Sequence, residues 1–333
     1  MKCINKWICL SLLIAVSCVS GCGKTSAAIE QPYDVYATAA DFGLSSNGTA
    51  EAKSYFASNL CVSEDVAIGT DSTDSQVAEG AGTFNLETNT VVYAKNLYER
   101  LYPASTTKIL TAYIALKYCD DLDAMVTVSE NAVNQASDSS VCNLKAGDVI
   151  RLRDLLYGLM LRSGNDAAVA IAEYISGDVD SFAALMNQEA AAMGATRSHF
   201  VNPNGLPDEN HYTCVYDMYL IFSNAVKNDT FVSIIGTTSY DVTYTNTSGE
   251  AVTHTWENTN QYLTGNATTP DGFQIVGGKT GTTGEAGYCL VLYSYNPSGQ
   301  PIISIVFKAD GKSNLYLLMN EMLQGFAIWT VDP

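Results

Sequence analysis

The sequence predicts an α/β (α+β) domain: an antiparallel sheet built from both ends of the chain and flanked by helices, with an all-helical subdomain inserted between its halves. Three observations carry this expectation. Two short strand-like runs around a turn, residues 83–86 and 90–93, come early in the chain. Thr-, Tyr- and Val-rich runs return only late, between Ser239 and Phe307. Between the two groups the apolar residues recur at helical spacing. The 333 residues contain no internal repeat and are long enough for one large core or two small ones.

The elements follow in order. Lys2 and Lys6 precede a short apolar run, Trp7–Val19, which ends Val19-Ser20-Gly21-Cys22. The run is shorter than a membrane span of about 20 residues. With its small residues before a cysteine it resembles a bacterial lipoprotein signal, residues 1–21, which implies export and a lipid on Cys22. Residues 22–76 are polar and read as a tether and lead-in, with a short helix over Ala50–Leu60. The pattern sharpens at Val77, the expected start of the main domain, 77–330. Glu87-Thr88-Asn89 turns a hairpin. A helix is expected over Ser105–Lys117. Stripes at Leu152, Leu155, Leu156 and Leu159, at Phe182, Leu185, Met186 and Met193, and at Val215, Met218, Phe222 and Val226 give the helical subdomain, about 118–235. Strands at 239–244 and 251–256 flank Asn246-Thr247-Ser248-Gly249. Strands at 288–295 and 302–307 flank Asn296-Pro297-Ser298-Gly299. Leu315, Leu318, Met319, Met322 and Phe326 form a closing helix.

Composition excludes several functions. With 35 acidic residues against 17 basic, the net charge is −18. Such a surface repels phosphate backbones, so nucleic acid is excluded as a partner. The three histidines, at 199, 211 and 254, are scattered, and no metal or other cofactor is expected. All three read as structural or exposed, and Asp208, Glu209 and Asp217 as a solvated edge or helix start. Beyond Cys22, Cys61, Cys119, Cys142, Cys214 and Cys289 form no Cys-x-x-Cys pair. Their number is odd, so at least one thiol is unpaired in a monomer, and any pairing is open.

Three motifs carry chemistry. Ser105-Thr106-Thr107-Lys108 follows Pro103-Ala104 at the start of a helix. Lys108 then lies one turn from Ser105 on the same face. A serine needs a base to attack a carbonyl, and a desolvated lysine can serve. Ser163-Gly164-Asn165 sits in a turn between helices, where a hydroxyl can relay a proton and an amide can hold a carbonyl or a lysine. Gly277-Gly278-Lys279-Thr280-Gly281-Thr282-Thr283 marks a glycine-bracketed strand edge that a substrate backbone can approach, with Lys279 suited to a carboxylate. A phosphate loop would need glycine at 273, and Phe273 stands there.

In this order the motifs resemble those of the penicillin-recognising serine enzymes. The second motif is Ser-Gly-Asn where class A β-lactamases usually carry Ser-Asp-Asn, and no Glu-x-x-Leu-Asn run lies between Ser163 and Lys279. The chain therefore looks like a low-molecular-mass penicillin-binding protein of the D-alanyl-D-alanine carboxypeptidase family, with a serine β-lactamase/DD-peptidase-like fold. Phe200–Leu206 and Asn258-Thr259-Asn260 resemble family segments near the cleft. Many members carry a β-rich second domain and an amphipathic anchor after the catalytic domain. Here the sequence ends at Pro333, and the lipid on Cys22 would replace that anchor.

The resemblance implies the following roles. Ser105 attacks the carbonyl between two terminal D-alanines of a peptidoglycan stem peptide, and Lys108 takes its proton. The backbone N–H groups of Ser105 and Thr282 form the oxyanion hole. Lys279, Thr280 and Gly281 hold the substrate's carboxylate end, Ser163 passes a proton to the leaving amine, and Asn165 orients Lys108 and the substrate amide. β-Lactams would acylate Ser105 as covalent inhibitors. The expected location is the outer face of the bacterial cytoplasmic membrane. Three rivals are a serine β-lactamase, a DD-endopeptidase and an inactive cell-wall-binding lipoprotein.

Overall fold

The structure, a computed structural model, describes residues 59–326. The expected signal segment, Cys22, the tether to residue 58 and most of the expected helix over Ala50–Leu60 lie outside the described residues.

Strand β1 (Ala78–Asn85) turns into β2 (Thr90–Lys95) through Asn89, which takes the left-handed conformation such a turn needs. A 3-10 turn, Ala104–Thr107, leads into helix α1 (Lys108–Tyr118). Then come β3 (Met125–Thr127), α2 (Glu130–Val133), β4 (Val149–Arg151) and α3 (Leu152–Tyr157), which continues as a π-helical segment over Gly158–Arg162. Helices α4 (Asn165–Ser176), α5 (Val179–Ala192), α6 (Val215–Ala225) and α7 (Asp229–Ile235) complete the insertion. The hairpin β5 (Ser239–Thr245) and β6 (Ala251–Glu257), three strands β7 (Gln274–Thr283), β8 (Gly287–Tyr295) and β9 (Pro301–Ala309), and helix α8 (Lys312–Phe326) follow.

The main sheet has the order β2-β1-β9-β8-β7 and is antiparallel throughout. Strand β1 from the front of the chain pairs with β9 from the back, as the sequence pattern required. The near-continuous apolar runs of β8 and β9 have a physical reason: both faces of the sheet are covered. Leu290, Leu292, Ile302 and Val306 pack under α8 with Leu318 and Met322. Val291, Ile303, Ile305 and Phe307 face the other way into the core shared with α1, α4 and α6.

Helix α1 lies at the centre of that core, against α4, α5 and α6. Its buried Ile109, Leu110, Ala112, Ile114 and Ala115 cover most of its circumference, as a helix enclosed by others requires. The insertion is largely helical, as expected, and also carries the three-residue strands β3 and β4. These join β5 and β6 in a second sheet of order β3-β4-β5-β6. Sequence could not show this, because three-residue strands carry no measurable period. The second sheet anchors α3: Tyr240 Oη donates to buried Asp154 Oδ1 at 2.6 Å, and Arg151 Nε donates to its Oδ2 at 2.8 Å.

The packed unit begins well before Val77. The backbone N–H of buried Cys61 donates to Tyr219 Oη (2.9 Å), and Tyr216 Oη donates to the Cys61 carbonyl (2.8 Å). Tyr219 stacks on Phe84 with ring centroids 4.2 Å apart. Ile68 bridges to Ala94 on β2. The polar composition of 59–76 hid these contacts, because they use backbone groups rather than an apolar stripe. Cys61, Cys119, Cys142, Cys214 and Cys289 are all free thiols.

The loop 202–206 is a rigid shelf beneath the start of α1. Gly205 N–H donates to Asn202 Oδ1 at 2.7 Å, and Thr111 Oγ1 donates to the Pro203 carbonyl at 2.7 Å. Gly205 has φ +88°, and a Cβ there would sit 1.8 Å from the Ala104 carbonyl oxygen, so only glycine fits. His211 ties this loop to the Ser105 turn. Val201 N–H donates to its Nδ1 at 3.1 Å, which leaves Nε2–H to donate to Thr107 Oγ1 at 2.9 Å. Burial pushes the imidazole pKa down to about 4, so the ring is neutral. The structural reading of His211 holds. Asp217 is a helix start, as expected, but buried rather than solvated; Ser198 Oγ and Arg197 N–H donate to its Oδ2.

Two outcomes follow. Tyr219→Phe leaves the buried Cys61 N–H without its acceptor and should cost about 1–3 kcal/mol in urea unfolding; an unchanged midpoint would show that the lead-in is not bound through it. The unfolded chain protonates His211 near 6.5 and the folded chain only near 4. Stability should therefore fall as pH drops through that window, by up to about 3 kcal/mol. His211→Asn should flatten this part of the pH–stability curve, and an equal slope in the variant would assign the titration to another group.

Candidate active site

The first motif is positioned by backbone strain. Ala104 holds φ +47° although it is not a glycine, and Ser105 follows in the 3-10 turn rather than in the first turn of an α-helix. Left-handed alanine costs on the order of 1–2 kcal/mol. The cost is tolerated because strand β7 and the 202–206 shelf confine the turn: a Cβ on Gly281 would lie 3.0 Å from both the Pro103 carbonyl and the Ser105 nitrogen. Ser105 is half-buried, and Lys108, at the first position of α1, is fully buried.

The second motif ends the π-helical segment. Widening the helix over 158–162 brings Gly164 N–H to the Gly158 carbonyl at 3.1 Å and leaves Ser163 in the left-handed region at φ +61°. Such π segments store strain where a side chain must be re-aimed. Asn165 then opens α4. Asp166, also buried, accepts the backbone N–H groups of Cys142, Leu144 and Ala167, and so fixes the segment 140–144 beside the motif. Gly164 has no room for a side chain, since its Cβ would lie 2.3 Å from Cys142 Sγ.

The third motif lies on β7, an outer strand of the main sheet, as the glycine-bracketed strand edge required. Gly277 and Gly278 press against the Ile235 and Val291 carbonyls, where a Cβ would lie 2.3 and 2.0 Å away. Thr280 Oγ1 shares a 2.6 Å hydrogen bond with Thr259 Oγ1.

The tertiary structure brings Ser105, Lys108, Ser163, Asn165, Lys279, Thr280, Gly281 and Thr282 together. Lys108 Nζ lies 2.9 Å from Ser105 Oγ, 2.8 Å from Asn165 Oδ1 and 2.6 Å from the Asn204 carbonyl oxygen. Lys279 Nζ lies 3.0 Å from Ser163 Oγ and 2.8 Å from the Thr280 carbonyl oxygen. Burial pulls the Lys108 pKa well below the usual lysine value, and the nearby Lys279 charge adds to this. Cys142 and Asp166 act in the opposite sense. Burial alone lowers Lys279 to about 7.

The geometry around Lys108 has a chemical consequence. In its neutral form the amine gives its two N–H bonds to the Asn165 and Asn204 oxygens, which can only accept. One lone pair then remains for Ser105. This is how a lysine becomes a base towards a serine hydroxyl.

Ser105 stands between two cavities. One, of about 180 Å³, is lined by Ser163, Thr259, Thr280, Tyr288 and Lys312. The other, of about 390 Å³, is lined by Asn165, Asn204, Leu206, Thr283 and two acids, Asp138 and Glu285. Thr282 and Ser140 border both. Sequence reasoning did not single out Ser140, Asp166, Lys312 or the Asn204 carbonyl. The Asn202-Pro203-Asn204-Gly205 turn signalled the last of these. The others sit in segments with no motif of their own.

Residues 69–311 match the peptidase S11 family, D-alanyl-D-alanine carboxypeptidase. The D-alanyl-D-alanine carboxypeptidase of Streptomyces sp. K15 is 35% identical over 265 residues, covering 75% of this chain and 88% of that protein. DacF of Bacillus subtilis, a D-alanyl-D-alanine carboxypeptidase, is 33% identical over 77% of this chain, which spans only 64% of DacF. The crystal structure of the Streptomyces K15 DD-transpeptidase superposes with a TM-score of 0.67 at 33% identity, covering 74% of this chain and 96% of that one. Sequence match, shared fold and the convergence of the three motifs on one cleft agree: the chain belongs to the D-alanyl-D-alanine carboxypeptidase family, peptidase S11.

Proposed function

We propose that this chain is a serine-type D-Ala-D-Ala carboxypeptidase that removes the terminal D-alanine from peptidoglycan stem peptides through an acyl-enzyme on Ser105. One observation carries the reading: the buried Lys108 amine, committed to two acceptor oxygens, has its remaining position on Ser105 Oγ. Lys108 takes the serine proton as Oγ attacks the penultimate D-alanine carbonyl. The Ser105 and Thr282 N–H groups stabilise the resulting oxyanion. Lys279 with Thr280 and Gly281 receives the terminal carboxylate. Ser163, held by Lys279 at 3.0 Å, passes a proton to the departing amine. The C–N bond breaks, D-alanine leaves, and water attacks the ester to return Ser105. Asn165 orients Lys108 through Oδ1 and offers its amide nitrogen to the substrate. β-Lactams acylate the same serine, because their ring amide and carboxylate imitate the dipeptide.

The lipoprotein-like signal supports a lipid on Cys22 and a place on the outer face of the cytoplasmic membrane. The likeness to the Streptomyces K15 DD-transpeptidase supports trying an amine, as well as water, as the acceptor of the acyl group.

The test is D-alanine release by the full chain from a pentapeptide ending in D-Ala-D-Ala, with and without an added amine acceptor. Ser105→Ala should abolish both release and covalent penicillin labelling, and labelling of the variant at another residue would overturn the nucleophile. Lys279→Gln should raise KM for carboxylate-terminated peptides about tenfold or more, as expected for loss of a charged hydrogen bond worth about 1.5–3 kcal/mol. The wild-type kcat/KM for such peptides should fall as pH rises through about 7, where Lys279 loses its charge; a flat alkaline limb, or an unchanged KM in the variant, would remove Lys279 from carboxylate recognition.

A further inference from the structure

The two cavities beside Ser105 differ in charge. The smaller one is bordered by Lys312 and by Thr280 and Ser163, both bonded to Lys279. The larger one is lined by Asp138 and Glu285 and by no basic side chain. These acids come from separate elements: Asp138 from the loop between α2 and β4, Glu285 from the turn between β7 and β8. Neither forms an ion pair among the described residues. Asn165, only 4% exposed, lines the same cavity as the two acids and Ser105. Its Oδ1 accepts from Lys108, and its amide nitrogen has no partner among the described residues. A donor on a buried residue, open to a cavity beside Ser105 and without an acceptor in the protein, marks a place for a substrate carbonyl.

The substrate's direction fixes what meets the acids. With its carboxylate at Lys279 and Thr280, the peptide must leave Ser105 through the larger cavity. It then runs antiparallel to β7, past Thr282 and towards Glu285. An extended peptide advances about 3.3 Å per residue. The residue before the D-alanyl pair therefore reaches the level of residues 283–285, in the cavity that Glu285 and Asp138 line.

Resting on the carboxypeptidase reading above, we propose that Asp138 and Glu285 form a subsite for a free side-chain ammonium on the residue preceding the two D-alanines. The enzyme then distinguishes stem peptides in which that amine is free from those in which it has been acylated, as in a crosslink. An amide carries no charge to offset the two carboxylates. Both acids are exposed, so each contributes at the level of a surface ion pair, and together they give a preference of about three- to tenfold.

The experiment compares two pentapeptides, L-Ala-γ-D-Glu-X-D-Ala-D-Ala, with X either lysine or Nε-acetyl-lysine. The full chain and its Asp138→Asn/Glu285→Gln variant are assayed for D-alanine release, and benzylpenicillin acylation reports that the variant is folded. The wild type should favour the free amine about three- to tenfold in kcat/KM, mainly through KM. The ratio should shrink at high salt and fall to about one in the double variant. Equal wild-type values for the two peptides would overturn the subsite, and so would a preference that survives in the variant. Release from neither peptide would instead overturn the carboxypeptidase reading, and the subsite with it.

Discussion

A single buried amine organises this molecule. Lys108 has no contact with solvent, so its nitrogen must find acceptors inside the protein or leave a large desolvation cost uncompensated. Its three partners come from three separate stretches: the Ser105 turn, the head of α4 and the 202–206 loop. Satisfying one amine therefore fixes three elements relative to one another. The surrounding devices serve that convergence. Ala104 accepts a strained backbone, Gly205 gives up its side chain, and neutral His211 braces the turn against the loop. The same burial that demands these partners also lowers the amine's basicity, so structural constraint and chemical competence have one cause.

The second buried lysine is held differently. Lys279 has a hydroxyl and a carbonyl, Ser163 and Thr280, but no carboxylate partner among the described residues. An ammonium so placed gains from any anion that enters the adjoining cavity. Two lysines near one another in a dry site also favour keeping one of them neutral. The site thereby sets one buried lysine against Ser105 and a second against Ser163. Beyond the base, the cleft turns acidic at Asp138 and Glu285.

Much of the fold was legible in the sequence. The two terminal strand groups had to pair because each alone would leave a sheet with open hydrophobic faces, and the structure joins them at β1 and β9. The helical stripes at Leu152–Leu159, Phe182–Met193 and Val215–Val226 all became packed helices. Less legible were features with no period. Strands β3 and β4 are too short to alternate. The lead-in from Cys61 to Ile68 is bound by its backbone, which has the same atoms in every sequence.

Sequence by itself determined the chemical groups at the site and their order along the chain, because the serine, the lysines and the glycines are short motifs whose residue types are set by the reaction. Tertiary structure alone decided their geometry. The separation of Lys108 from Asn165 and Asn204 spans 57 and 96 residues of chain, and that of Lys279 from Ser163 spans 116. Such distances depend on how the sheet closes and how α1 is buried. The π-helical bend that aims Ser163, the carbonyl supplied by Asn204 and the meeting of Asp138 and Glu285 at one cavity belong to the same class. Each depends on backbone path and on which surfaces meet, and neither is written in any local run of residues.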